Sequence, residues 1–140
     1  MAKLLFIDDD PDVHNLYGSF LRRRLHCQNI SKYNRNSVTA CENGPQAMAL
    51  LKENPNFDLI VCDYCIPLKN GGDVWKYVRA HNPEIPFVLF TSQSLEELPE
   101  FDASFHGAGN VWLKKPAPPE KLLQIINSLL SEKTTSIFMS

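Results

Sequence analysis

Three acids stand side by side at Asp8, Asp9 and Asp10, directly after an apolar run at residues 4–7. A fourth, Asp63, follows a second run at 57–62. Thr91 and Ser92 follow a third at 87–90, and Lys114, Lys115 and Pro116 follow a fourth at 111–113. Carboxylates a few ångströms apart repel one another unless a cation lies between them or one stays protonated. Hard oxygen ligands of this kind suit Mg2+, which keeps several waters and shares phosphate oxygens readily. A carboxylate can also attack phosphorus and become an acyl phosphate, with metal, amine and hydroxyl neutralising the phosphoryl oxygens. Phosphoryl transfer to an aspartate is the chemistry that suits this set.

Such a set needs a scaffold that brings distant strand ends together. The apolar runs, with a weaker one at 37–41, are short, rich in β-branched and aromatic residues, and nearly continuous. That is the expected look of parallel strands buried on both faces. Helical patterns lie between them. Val13, Leu16, Tyr17, Phe20, Leu21 and Leu25 keep the rhythm of an amphipathic helix opening after Asp10-Pro11. Ala47, Met48, Leu50 and Leu51 mark a second helix ending before Asn54-Pro55, and Val74, Trp75, Tyr77 and Val78 a third after a Gly71-Gly72 turn. Leu122, Leu123, Ile125, Ile126, Leu129 and Leu130 mark a last helix opening at Pro118-Pro119. Alternating strands and helices predict a doubly wound parallel α/β sheet with helices on both faces. In such a sheet ligands bind at the carboxyl ends of the strands, where all the residues above are placed.

Two segments break the regularity. Residues 27–36 form a polar stretch longer than most loops, and 94–109, where a fourth helix belongs, contains Pro99. Residues 132–140 read as a flexible tail.

Of 140 residues, 44% are hydrophobic and 21% charged, which suits one globular domain with a real core. Lys plus Arg number 14 and Asp plus Glu 16, for a formal charge of −2. That balance gives no reason to expect nucleic-acid binding or a polybasic membrane contact. No run approaches a membrane span, and the N-terminus reaches acids too soon for a signal peptide, so a cytoplasmic location is expected. Cys27, Cys41, Cys62 and Cys65 are then expected as free thiols. Cys62 and Cys65 form a C-x-x-C, but no second such pair lies at zinc-ligand spacing, and Cys62 falls in a buried strand.

The order and content of the strand ends resemble one family. The stretches that carry the likeness are residues 4–13, 58–72, 87–92 and 113–116, and the resemblance covers roughly 3–131. The sequence is similar to the receiver domains of two-component response regulators. This implies a flavodoxin-like five-stranded sheet of order 2-1-3-4-5, in a receiver domain spanning 1–131. It implies Asp63 as phosphoacceptor, taking its phosphoryl group from a sensor histidine kinase or phosphotransfer protein. It implies Mg2+ held by Asp9 directly, by Asp8 through water, by Asp63, and by the backbone carbonyl of Cys65. Thr91 would bond a phosphoryl oxygen, with small Ser92 leaving room for the phosphate. Lys115, before a Pro116 whose bond is commonly cis in the family, would pair with the phosphoryl group. Trp112 stands in the place of the aromatic switch residue. The domain would act on a downstream output protein, as a signalling domain rather than an enzyme.

Departures from the family pattern are the long 27–36 stretch, Pro99, and a last face without the charged pairs of the common dimer. Cys65 and Gln93 fill positions that tune dephosphorylation, and a thiol cannot orient water as an amide or acid does, so a long-lived phosphoryl group is expected. The main rival is a haloacid-dehalogenase-like phosphatase using Asp8 as nucleophile. Against it stand Pro11 after the motif, the missing late acidic motif, and no room for a cap domain. A degenerate receiver acting only as a binding module is a third reading, opposed by the complete set of site residues.

Overall fold

The computed structural model describes residues 2–27, 37–98, 100–101, 105 and 109–139. Five strands, β1 (Lys3–Ile7), β2 (Ser37–Cys41), β3 (Leu59–Cys62), β4 (Phe87–Thr91) and β5 (Asn110–Lys114), form one parallel sheet. Their order is β2-β1-β3-β4-β5, the flavodoxin-like arrangement expected.

Strand side chains alternate between two cores because successive residues point to opposite faces. Leu5, Ile7, Ile60, Cys62, Phe87 and Leu89 pack on one side, with Val74 and Val78 of helix α4 (Gly71–His81) and Ala47 of α3 (Gly44–Glu53). Leu4, Phe6, Leu59, Val61, Val88 and Phe90 pack on the other, with Leu21 and Leu25 of α2 (Ser19–Cys27) and Leu122 and Ile126 of α5 (Pro119–Met139). Strands buried on both faces need apolar residues at every position, which explains the nearly continuous runs.

Local chemistry sets where the helices begin. The Asp10 carboxylate accepts from the Asp12 N–H (2.9 Å), capping α1 (Pro11–Val13) with proline at its first position. Asn43 caps α3 by accepting from the Gln46 N–H, and Asn70 and Asp73 form a reciprocal capping box at α4. Gly71 and Gly72 are therefore the first residues of α4, not a turn before it. A Cβ on Gly71 would lie 2.5 Å from the Asp63 carbonyl oxygen and 2.8 Å from the Tyr64 Cα. Glycine here lets the helix start press against the backbone that carries Asp63.

The first helix departs from expectation. Between α1 and α2 the chain is a π-helix at His14–Gly18. The wider turn shifts the rotational phase, so Tyr17, Leu21 and Leu25 are buried while Leu16 is 55% exposed. Leu16, placed on the inner face by a regular 3.6-residue period, is corrected to the outer face.

Between β4 and β5 the described residues form a 3-10 turn at Leu95–Glu97, and Phe105 is in 3-10 conformation as well. Pro99 lies outside the described residues, as do 28–36 of the polar stretch. Phe101 and Phe105 anchor this connection against Trp75, with ring centroids 5.0 and 5.6 Å away. The backbone of α5 is helical to Met139, beyond the apolar rhythm that stops at Leu130. No described helix is long and apolar enough to cross a membrane.

Candidate functional site

The carboxyl ends of β1, β3 and β5 meet at one edge of the sheet. Ladder hydrogen bonds carry just past each strand and fix the next residue: Asp8 N–H donates to the Cys41 carbonyl (3.1 Å) and Asp63 N–H to that of Ile7 (2.9 Å). Lys115 N–H donates to the Thr91 carbonyl (2.8 Å). Oxygens of Asp8, Asp9 and Asp63 consequently lie within 4.8 Å of one another. The Lys115 ammonium donates to Asp8 at 2.5 Å and to Asp63 at 3.2 Å, and lies 5.3 Å from the centre of the Phe90 ring. Its bond to Pro116 is cis.

Electrostatics give the members different characters. Asp8 is 1% exposed, and burial raises its pKa against the opposing pull of Lys115 and of the Asp10 N–H that donates to it (2.9 Å). Burial works to lower the Lys115 pKa, but the Asp8 hydrogen bond and the charges of Asp63 and Asp8 outweigh it, so the net shift is upward. Asp9 is exposed and Asp63 partly so. The inner acid is thus clamped, and the outer two face solvent.

The carboxylates fit a hard divalent cation. At Mg–O distances near 2.1 Å, octahedral ligands sit about 2.9 Å apart when adjacent and about 4.2 Å when opposite. Three carboxylate oxygens within 4.8 Å need only small side-chain adjustments to meet that. With all three ionised the cluster carries more negative charge than one ammonium neutralises, which further favours a cation.

Thr91 is fully buried at the end of β4, its hydroxyl oxygen accepting from the Gln93 N–H (3.4 Å). Trp112 lies half-buried on β5, its indole N–H donating to the Gln93 carbonyl (3.0 Å). Both thus meet the backbone of one residue, Gln93. Ser92 is exposed. Cys65 is exposed too, and burial, then the charges of Asp63 and Asp9, raise its thiol pKa. Cys41, Cys62 and Cys65 are free thiols, and Cys62 is wholly buried. A hydrogen bond from the Cys62 thiol to the Asp63 carbonyl (3.1 Å) makes it part of the core beneath the site.

Sequence patterns missed two contacts. The Tyr64 hydroxyl donates to the Glu100 carboxylate (2.9 and 3.0 Å) and accepts from the Asn70 amide (3.3 Å). The residue after Asp63 is thereby tied to the β4–β5 connection. His14 bonds the Asp8 carbonyl (2.7 Å). Neither follows from spacing, because Glu100 sits in an irregular segment and His14 in a widened helical turn.

Residues 4–127 match the family described as response regulator receiver domain. The chain belongs to this family. The receiver domain is 30% identical over 131 residues to the response regulator SaeR of Staphylococcus aureus. That match covers 94% of this chain and 51% of the relative, so the chain spans about half the length of such curated relatives. Among solved structures it resembles the chemotaxis response regulator CheY4 of Vibrio cholerae, at 26% identity and a TM-score of 0.71, covering 92% of this chain and 98% of that one. A CheY-like receiver domain protein from Methanospirillum hungatei shares the fold at 22% identity and a TM-score of 0.76, covering 97% and 98%.

Proposed function

We propose that this receiver domain accepts a phosphoryl group on Asp63 from a phosphohistidine of a sensor histidine kinase or phosphotransfer protein. The observation that carries this reading is the Lys115 ammonium bridging Asp8 and Asp63 across two strand ends, beside exposed Asp9. In the transfer an Asp63 carboxylate oxygen bonds to phosphorus as the phosphorus–nitrogen bond of the donor breaks. The departing imidazole keeps that electron pair and takes a proton from solvent. Lys115 neutralises a phosphoryl oxygen when it leaves Asp63 for the new group. Bound Mg2+ would add positive charge at the same oxygens, held by Asp9, Asp63 and the Cys65 carbonyl, with Asp8 acting through water.

Thr91 and Trp112 form the switch in this reading. Drawing the Thr91 hydroxyl toward the phosphoryl group breaks its contact with the Gln93 N–H and disturbs the carbonyl that holds Trp112. In this reading the domain comprises residues 1–131, with 132–140 following it as the end of a last helix that runs on to Met139; it works in the cytoplasm and passes its signal to a separate or appended output. It does so without binding nucleic acid or membrane itself, and as a signalling domain rather than an enzyme.

The test is to incubate the protein with a small acyl phosphate and Mg2+ and map the acid-labile label. Label on the peptide carrying Asp63 is expected. Label on Asp8, as in a dehalogenase-like phosphatase, or no label at all, overturns the assignment. The same labelled protein tests the phosphoryl lifetime. Cys65 offers an exposed, protonated thiol that cannot orient an attacking water, so decay after donor removal should be slow. Complete loss within seconds, with no phosphatase present, would contradict this.

A further inference from the structure

His14 bonds the backbone of the acid pair while belonging to no part of the reaction above. A carbonyl oxygen only accepts, so the 2.7 Å contact with the Asp8 carbonyl requires the hydrogen on His14 Nε2. His14 Nδ1 is buried and meets no hydrogen-bond partner among the described residues. The ring leans on Phe6, with centroids 5.3 Å apart and planes inclined by 59°. It is therefore held by one polar contact and one apolar wall. The π-helical turn that begins at His14 is local to this contact, and such turns cluster at functional sites. Gly18 closes the turn, and a Cβ there would be 4.0 Å from His14 Nδ1.

The carbonyl that His14 grips belongs to the peptide joining Asp8 to Asp9. Fixing that peptide plane constrains the backbone of both acids at once. Asp8 has other restraints, in Lys115 and the Asp10 N–H. Asp9 is exposed, and no hydrogen bond to its carboxylate is seen among the described residues. Its aim into the cluster depends on the peptide behind it.

We propose that His14 is a positioning residue that orients Asp9 for a divalent cation through the Asp8–Asp9 peptide. This rests on the reading of the acid cluster as a Mg2+ site. Two variants separate hydrogen bonding from packing: His14→Phe keeps the ring and loses the donor, and His14→Gln keeps a donor of similar reach. Mg2+ is titrated into wild type and each variant, followed by the backbone amide shifts of residues at the cluster. Thermal unfolding checks the fold. Expected is a roughly five- to tenfold weaker Mg2+ affinity in His14→Phe, the size of a lost net hydrogen bond, with recovery to within about twofold in His14→Gln. Phosphorylation by acyl phosphate should be slowed in His14→Phe at low Mg2+ and restored at saturating Mg2+. Unchanged affinity in a folded His14→Phe overturns the proposal, as does equal loss in both variants or a rate defect that saturating Mg2+ does not repair. Failure of the wild-type protein to bind Mg2+ instead overturns the cation reading on which it stands.

Discussion

Asp63→Asn is expected to take up no phosphoryl group from an acyl phosphate and Mg2+, a loss of roughly a thousandfold or more relative to wild type. The amide lacks the negative charge that makes the carboxylate a nucleophile, while its shape and one acceptor oxygen remain. Geometry favours this residue over its neighbours. Asp8 is buried to 1% exposure and held by Lys115 and the Asp10 N–H, so a donor cannot reach it without dismantling the clamp. The Asp63 side chain keeps 12% of its surface open, beside exposed Asp9 and Cys65. Intact mass after incubation is the measurement, and uptake equal to wild type would exclude Asp63 as acceptor. The thermal midpoint should not fall in the same variant. Asparagine can still accept from Lys115, and one of three mutually repelling charges has gone. A lowered midpoint would mean that the Asp63 charge stabilises the fold, contrary to this electrostatic picture.

The sheet was legible because its signal is hydrophobic and local. Each buried strand had to be apolar at every position, and Asp10 and Pro119 mark helix starts by chemistry that acts within one turn. The meeting of Asp8, Asp63 and Lys115 was legible for a different reason. A parallel sheet brings its strand ends to one edge, so residues after the runs become neighbours whatever lies between. Leu16 was misplaced because a π-turn adds a residue without any mark in the apolar pattern. Tyr64 and Glu100 escaped notice because their contact crosses 36 positions into a connection with no periodic signal. His14 carries no mark in the apolar pattern, and it is the widened turn that aims its ring at the Asp8 carbonyl.

Lys115→Met tests how the acid edge tolerates its own charge. The ammonium is the main opposing influence on Asp8, whose pKa burial already raises and Asp63 raises further. Methionine keeps most of the length of the side chain and removes the charge, and with it the ammonium's contact with the Phe90 ring. Breaking one partner of a buried pair costs on the order of 3 kcal/mol, which for a domain of this size lowers the thermal midpoint by roughly 10 °C. The loss should depend on pH in a defined direction. A carboxyl whose folded pKa is raised favours the folded state at low pH, and that advantage is lost as pH rises through the folded value. Without Lys115 the Asp8 value moves further up. The variant should therefore approach wild-type stability near the ordinary carboxyl value of 3.8 and fall behind as pH rises toward neutrality. Lys115 does not titrate in this window, because its own pKa is raised above 10.5. Denaturant melts across that range measure the gap, and a gap that is constant or widens toward acid would contradict the assignment of Asp8 as the strained member. Added Mg2+ should recover part of the lost stability at neutral pH, since a ligand that binds only the folded state stabilises it, while phosphoryl uptake should stay severely reduced. Recovery of stability without recovery of transfer would separate the two duties of one ammonium: holding an acidic edge together at rest, and meeting the phosphoryl group when it arrives.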